Sequence, residues 1–416
     1  MRIQLTLIFL ICSVLPVRLA QADDALEEIQ RLADTGAVNL AIRVLDRDQN
    51  RVGEKSAAWE NYERQRIALY RARHDWRKIS ERLLKIPKDV SAGLQVWAKA
   101  QRAEALIEMG QGEAARKELR FLIWQSSKHD TSLLSEWRRL IIRSYLTDGL
   151  AADAQMASQR FRQDYGDRDE HDYLLRARIL LLNQDYDEAI ALLKPHAEDP
   201  TAGALLLLTQ LRGQTRSSNK VLQATYRHLR NKHNDEGANA NLWAVAAEAA
   251  QRAGNRGAAA AAMEQVMVRR KDLTLPKSII SASSDDLWNA YIDYAMDISN
   301  KQQLLIGQDD KWMALAEKIK TKKPVGARSL YAFVMLRGQQ AESRNAAAEA
   351  FVDLIGKRKQ GNHLLQLLFN EGRYVKRRSA IPQPVRHKLV DLALASANID
   401  LASEIMATIK QPPPGQ

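Results

Sequence analysis

The strongest constraint on this chain is a short phrase that recurs inside a continuous helical pattern. A turn residue is followed, five positions later, by a small residue within an apolar helix. Gly36 precedes Ala41, Gly110 precedes Ala115, Gly149 precedes Ala154 and Gly254 precedes Ala259. Gln184 and Ala189 fit with Gln in the glycine slot, and His74-Asp75-Trp76 marks a further unit. Gly213 with Ser218 and Gly338 with Ser343 are weaker copies. Positions 36, 74, 110, 149 and 184 lie 38, 36, 39 and 35 residues apart. Glycine ends a first helix in the left-handed region, and the small residue lets a second helix approach it closely. A helix pair of this kind cannot bury its apolar face alone and must stack on neighbours.

The sequence between these turns supports helices throughout. Apolar residues recur at i, i+3, i+4 and i+7, as in Leu26, Ile29, Leu32 and Ala33 and again in Leu40, Val44 and Leu45. No sustained period-two alternation of β-branched residues runs through the chain, so strands have no support. With 45% apolar and 27% charged residues in 416, the chain is neither disordered nor collagen-like. The expected fold is all-α: an αα-hairpin solenoid of about ten stacked pairs.

The unit at Asn183-Gln184-Asp185-Tyr186-Asp187-Glu188-Ala189-Ile190-Ala191, ending at Asp199-Pro200, resembles the turn, second helix and terminal proline of a tetratricopeptide repeat. Trp243 lies eleven residues before Gly254, the place of that family's first-helix aromatic, and Trp97 and Trp137 lie thirteen and twelve before their glycines. The resemblance covers residues 25–265 in a degenerate form. It implies a superhelix whose concave face holds partner segments.

Residues 1–22 are expected to be a secretory signal peptide. Arg2 precedes an apolar run from Leu5 to Leu15, and Ala20-Gln21-Ala22 forms a cleavage site before Asp23-Asp24. Its removal takes the only cysteine, Cys12, and lowers the net charge from +12 to +10 by loss of Arg2 and Arg18. No later stretch is apolar enough for a transmembrane span. This places the chain in the periplasm, with secretion as the alternative. The remaining organisation reads as TPR-like repeats over 23–275, a connector at 276–284, C-terminal helical repeats over 285–410 and a Pro-rich tail at 411–416. In the connector, Ser284 with Asp285-Asp286 is expected to cap a helix beginning at Leu287.

The positive charge is concentrated late. Residues 301–378 carry 16 Lys or Arg and 7 Asp or Glu, a net +9. The candidate partner-binding residues are Lys320, Lys322 and Lys323, then Lys357, Arg358 and Lys359, then Lys376, Arg377 and Arg378. Such a face suits an acidic partner or serves simply as a solvated surface. In an exported protein, that partner is an anionic glycan, lipid or acidic protein rather than nucleic acid.

The sequence offers little for chemistry. The eight His are scattered, and His228 and His233 are too far out of register for one helical face. There is no Gly-rich phosphate loop and no G-x-S-x-G elbow, so no catalytic, metal or cofactor residue is proposed. Asp285-Asp286 and Asp309-Asp310 read as helix starts, where negative charge is favoured. The chain is loosely similar to the exported, non-catalytic superhelical domain of soluble lytic transglycosylases. Its Glu342-Ser343 pair sits in an Ala-rich helix with about 70 residues after it, too few for the lysozyme-like domain, and reads as surface. The eight Trp, together with Tyr173, Tyr186, Tyr226 and Tyr291, read as inter-helix packing rather than a sugar-stacking groove. The function these features suggest is a protein–protein interaction scaffold of a bacterial cell envelope, binding envelope proteins. The alternative is a peptidoglycan- or exopolysaccharide-associated accessory module acting through the basic C-terminal face.

Overall fold

The computed structural model describes residues 25–35, 37–54, 56–125, 131–166, 172–230, 236–280, 282–396 and 398–409. The expected signal peptide and Pro-rich tail lie outside them, as does the turn at Gly36. The described residues form an all-α protein without strands, built from helical hairpins. Two compact units divide between Glu170 and His171.

The first unit holds four pairs. They are α1 (25–34) with α2 (Val38–Gln49), α3 (Ala57–Ala72) with α4 (Trp76–Leu84), α5 (Ala92–Glu108) with α6 (Gly112–Gln125), and α7 (Thr131–Thr147) with α8 (Ala151–Tyr165). The second unit holds six. They are α9 (Asp172–Asn183) with α10 (Tyr186–Leu193), α11 (Pro200–Arg212) with α12 (Ser218–Arg230), α13 (Glu236–Arg252) with α14 (Arg256–Val268), α15 (Ser284–Gln302) with α16 (Asp309–Ile319), α17 (Pro324–Arg337) with α18 (Ala341–Gly356), and α20 (Gln383–Ala395) with α21 (Ile399–Met406); α15 and α16 each pack on α17 rather than on one another. A further helix, α19 (Gly361–Asn370), stands between the last two pairs.

The recurring phrase has a physical counterpart at the end of five first helices, α3, α5, α7, α9 and α13. Gly110, Gly149 and Gly254 have φ of 81°, 72° and 71°, and His74 and Gln184 take the same left-handed turn at 56° and 68°. In each case the next residue donates its N–H to the carbonyl five residues back. The bonds run from Asp75 to Tyr70, Gln111 to Leu106, Leu150 to Tyr145, Asp185 to Leu180 and Asn255 to Ala250, all 2.8–2.9 Å. This closure satisfies carbonyls that the helix end leaves free. The small residues Ala41, Ala115, Ala154 and Ala189 are fully buried where the second helix crosses the first.

The weaker copies work differently. Gly213 is not left-handed; Gln214 beside it is, at φ 56°. Gly213 is needed for room, since a Cβ there would lie 2.7 Å from Tyr186 Cβ. Ser218 then falls outside the five-residue register, and Val221 and Thr225 are the fully buried residues of α12. Gly338 is extended, and Asp309 closes its turn by accepting the Gln339 N–H at 2.8 Å and the Gln340 N–H at 3.3 Å.

Helix starts also shift in detail. The cap of α15 is Ser283 rather than Ser284. Its Oγ accepts the Asp286 N–H at 3.2 Å while the Asp286 carboxylate accepts the Ser283 N–H at 2.8 Å. That reciprocal box leaves Ser284 inside the helix. Asp199-Pro200 opens α11, with the Asp199 carboxylate accepting the Ala202 N–H at 2.7 Å and proline at the first helical position. Within the stretch read as a connector, Ile279 and Ile280 are buried, as is Leu275 just before it, and the Ile279 carbonyl accepts from Arg212 Nη2 at 2.5 Å.

Candidate partner-binding surfaces

Within the first unit, the first helices α5 and α7 of successive pairs pack side by side. In the first unit, consecutive first helices are laced by charge. Arg71 on α3 bonds Gln101 and Glu104 on α5, the latter at 2.7 Å. Arg143 on α7 reaches back to Glu108 on α5 at 2.6 Å. Between α5 and α7 these side chains leave an open recess of about 290 Å³. Its rim is polar (Gln101, Glu104, Glu136, Arg139, Arg143), and Ala100, Trp137 and Leu140 complete its lining. Rim charges that are already held, Glu104 by Arg71 and Arg143 by Glu108, make a surface suited to hydrogen-bonding a backbone.

The basic residues singled out in the sequence do not all share one role. Lys322, Lys323, Lys357, Lys359, Lys376 and Arg377 are exposed. Lys320 is exposed and bonds Glu317. Arg358 turns inward to Glu264 on α14, and Arg378 is held by Glu404 at 2.8 Å and by Asn370 at 3.0 Å. Those two arginines therefore hold the fold together.

Sequence reasoning missed a buried ionic centre in each unit. Glu264 receives Arg328 through two bonds at 2.7 and 2.8 Å, Arg358 as a third, and the Tyr291 hydroxyl at 2.7 Å. Burial, with Glu264 beside it, pushes the Tyr291 hydroxyl well above its ordinary pKa. In the first unit Glu63 receives Arg82 through two bonds of 2.7 Å and Gln49 at 3.0 Å. Burial acts to raise the Glu63 carboxyl, but these hydrogen bonds and the Arg82 and Arg66 charges hold it below the ordinary range. The signal was present: Glu264 sits among Ala259, Ala260, Ala262, Val266 and Met267, all buried positions of its helix. An acid on an apolar face needs a partner.

The tryptophans mostly pack. Trp59, Trp137, Trp288 and Trp312 are buried, and Trp76, Trp97 and Trp243 are partly so. Trp288 is surrounded by Tyr291, Phe351, Phe369 and Tyr374, with ring centroids 5.4–6.1 Å away. Trp124, at 90% exposure, is the exception. Tyr173 stacks on His196 at 4.0 Å and Tyr226 meets Trp243 edge-on at 6.0 Å. Glu342 is exposed in the first turn of α18.

Among the described residues, no helix is long and apolar enough to cross a membrane. Fold and surfaces together define the class as an all-α helical-hairpin repeat protein. Compared with protein-family models and with curated proteins, the chain matches none.

Proposed function

We propose that this chain is a non-catalytic protein–protein interaction scaffold of the bacterial cell envelope, holding partner segments along its first helices. The degenerate tetratricopeptide-like phrase supports a concave binding face, and the N-terminal secretory pattern supports a periplasmic location. The observation that carries the reading is the recess between α5 and α7, where a polar rim surrounds the buried Trp137. Stacked helix pairs generally present grooves of this kind to partner segments.

Site-specific photo-crosslinking tests it. A photoreactive residue at Gln101 or at Arg139 should capture one protein partner in intact envelopes. The same probe at Arg77 or Lys117, exposed on second helices, should not. Equal capture at all four positions, or none at the recess, sinks the scaffold.

A second reading, association with peptidoglycan or exopolysaccharide, is favoured by the exposed lysines at 322, 323, 357 and 359. It would rest on charge alone, because the aromatics of that region are packed. A sacculus pull-down should reverse Lys357 and Lys359 but spare Arg358, whose loss would uncouple Glu264.

A further inference from the structure

In the second unit, the turns that follow the even helices bring separate basic runs to one edge. Arg269, Arg270 and Lys271 follow α14, Lys320, Lys322 and Lys323 follow α16, and Lys357 and Lys359 follow α18. α16 and α18 both pack on α17, so their C-terminal ends lie at its N-terminal end, and Arg328 near that end holds Glu264 close to the C-terminus of α14. One contact and two electrostatic influences relate these segments across helices. Arg358 after α18 reaches Glu264 on α14. The Glu317 carboxyl on α16 is lowered by its hydrogen bonds from Lys320 and Tyr331 and also feels Lys357. The His363 imidazole is lowered by burial and by Lys271 and Arg270.

Cations at helix C-termini favour the macrodipole, which accounts for one such residue per helix. It does not account for exposed lysines beyond the last turn. Lys322, Lys323, Lys357 and Lys359 are in no ion pair among the described residues. Several nearby acids are already engaged: Glu317 with Lys320, Glu371 with Arg270, and Asp285 with Arg373.

We infer that this edge is a docking surface for an extended acidic protein segment. The inference rests on the scaffold reading and adds a second contact, remote in sequence from the α5–α7 recess. Three features choose this occupant. Packed helices recur about every 10 Å, so three successive even-helix ends cover about 20 Å, the length of about six extended residues. Trp288, Trp312, Tyr331 and Tyr374 of this region are all buried, which removes the stacking platform a sugar chain would use. Leu305 and Ile306, 63% and 64% exposed, lie in the α15–α16 turn at the opposite edge, so no large apolar pair accompanies these lysines into a lipid surface. Lysine supplies mobile point charges rather than a fixed bidentate fork, which suits an acidic segment without one rigid shape.

The test uses the full chain and a short fluorescein-labelled Glu/Asp peptide, with binding read by anisotropy. Reversing Lys322, Lys323, Lys357 and Lys359 to Glu should weaken binding about tenfold or more, and raising salt from about 0.05 to about 0.3 M should weaken the wild type similarly. The thermal midpoint should hold, since these side chains are exposed and form no ion pair among the described residues. An equal charge change at Arg43, Lys85, Lys88 and Lys220, exposed and elsewhere, should leave most of the binding. Equal loss in both variants overturns the site in favour of net charge. Binding to phosphatidylglycerol vesicles or to polygalacturonate without binding to the peptide overturns the occupant. Retained photo-crosslinking at Gln101 alongside either result leaves the scaffold standing and this edge refuted.

Discussion

The two units use the same hairpin but connect it differently. In the first unit, polar links between pairs reach about one repeat along the chain. Gln65 to Gln30, Arg71 to Glu104, Arg143 to Glu108 and Arg116 to Asp148 span 35, 33, 35 and 32 residues. Its apolar core is correspondingly broken into small clusters, such as Ile29–Ala41–Leu45 and Ala115–Leu119–Trp137. In the second unit, links from α14 onward reach much further. Arg328 to Glu264 spans 64 residues, Trp288 to the Leu368 carbonyl 80, Arg358 to Glu264 94 and Arg270 to Glu371 101. Here α19 folds back onto α14 and α15, and one continuous cluster runs from Ala260 to Ile405. The first unit is a nearest-neighbour array in which each pair answers to the next. The second has a closure that makes distant pairs interdependent.

The sharpest way to break this comparison is at the two buried acids. Glu264→Gln leaves Arg328 and Arg358 short of a countercharge at the point where α14, α17 and α18 meet. The expected cost is about 3–5 kcal/mol, the usual result of orphaning a buried ion. Glu63→Gln should cost about 1–3 kcal/mol, because Arg82 is 38% exposed and can turn to water. Urea unfolding followed by hydrogen exchange reads both. Glu264→Gln should raise exchange in α19, about 100 residues away, whereas Glu63→Gln should affect α2 to α4 and their neighbours. Equal costs with equally local exchange would show that the closure contributes nothing beyond stacking.

The closure is also what the sequence concealed. The helices, their pairing and most of their turns were legible because each depends on residues within one hairpin. Gly110 with Ala115 and Asp199 with Pro200 are local statements about φ, caps and close approach. Trp288 looked like one packing aromatic among eight. Nothing local joins it to Phe351 and Phe369, because that contact depends on α19 turning back rather than stacking onward. Arg358 is the same lesson in charge. In sequence it is the middle of Lys357-Arg358-Lys359, indistinguishable from its neighbours, and only the fold separates it as a strut from two exposed lysines. A charge run thus shows how much charge a surface region carries and leaves open which members face the solvent.

Titration should separate the two buried centres by sign. Glu63 is held below the ordinary carboxylate range, so the unfolded chain takes up its proton first as pH falls. The stability it contributes is present above about pH 4.3, the unfolded value, and is lost as pH drops through the folded one. Tyr291 and Tyr374 are displaced the other way, with burial pushing Tyr374 up to about 12. Their contribution is full below about pH 10 and is lost as pH rises through the folded values, because only the unfolded chain releases protons in that window. Tyrosinate absorbance should therefore rise in two steps, the second coinciding with loss of near-ultraviolet circular dichroism. On the acid side, exchange should open α3 and α4 before α15. Early acid opening of α15 would remove the contrast.

The finest test uses one perturbation in both units. Gly110 and Gly254 end first helices with φ of 81° and 71°, and a Cβ at either would meet nothing within 4 Å. Alanine at these positions therefore introduces backbone strain and little else, about 1 kcal/mol in each case. Gln184→Gly runs the same change in reverse and should gain about 0.5–1 kcal/mol, since Gln184 already sits at 68°. His74→Gly should gain less, because the His74 ring meets Trp76 edge-on at 5.6 Å and that contact would go. The comparison turns on how far each change travels. With Gly110→Ala, lost protection should stop at α4 and α7, the helices packed on the α5–α6 pair. With Gly254→Ala it should pass through α14 to α19, which no nearest-neighbour array would allow. If both changes stay local, the Glu264 and Trp288 contacts are too weak to couple the pairs they join.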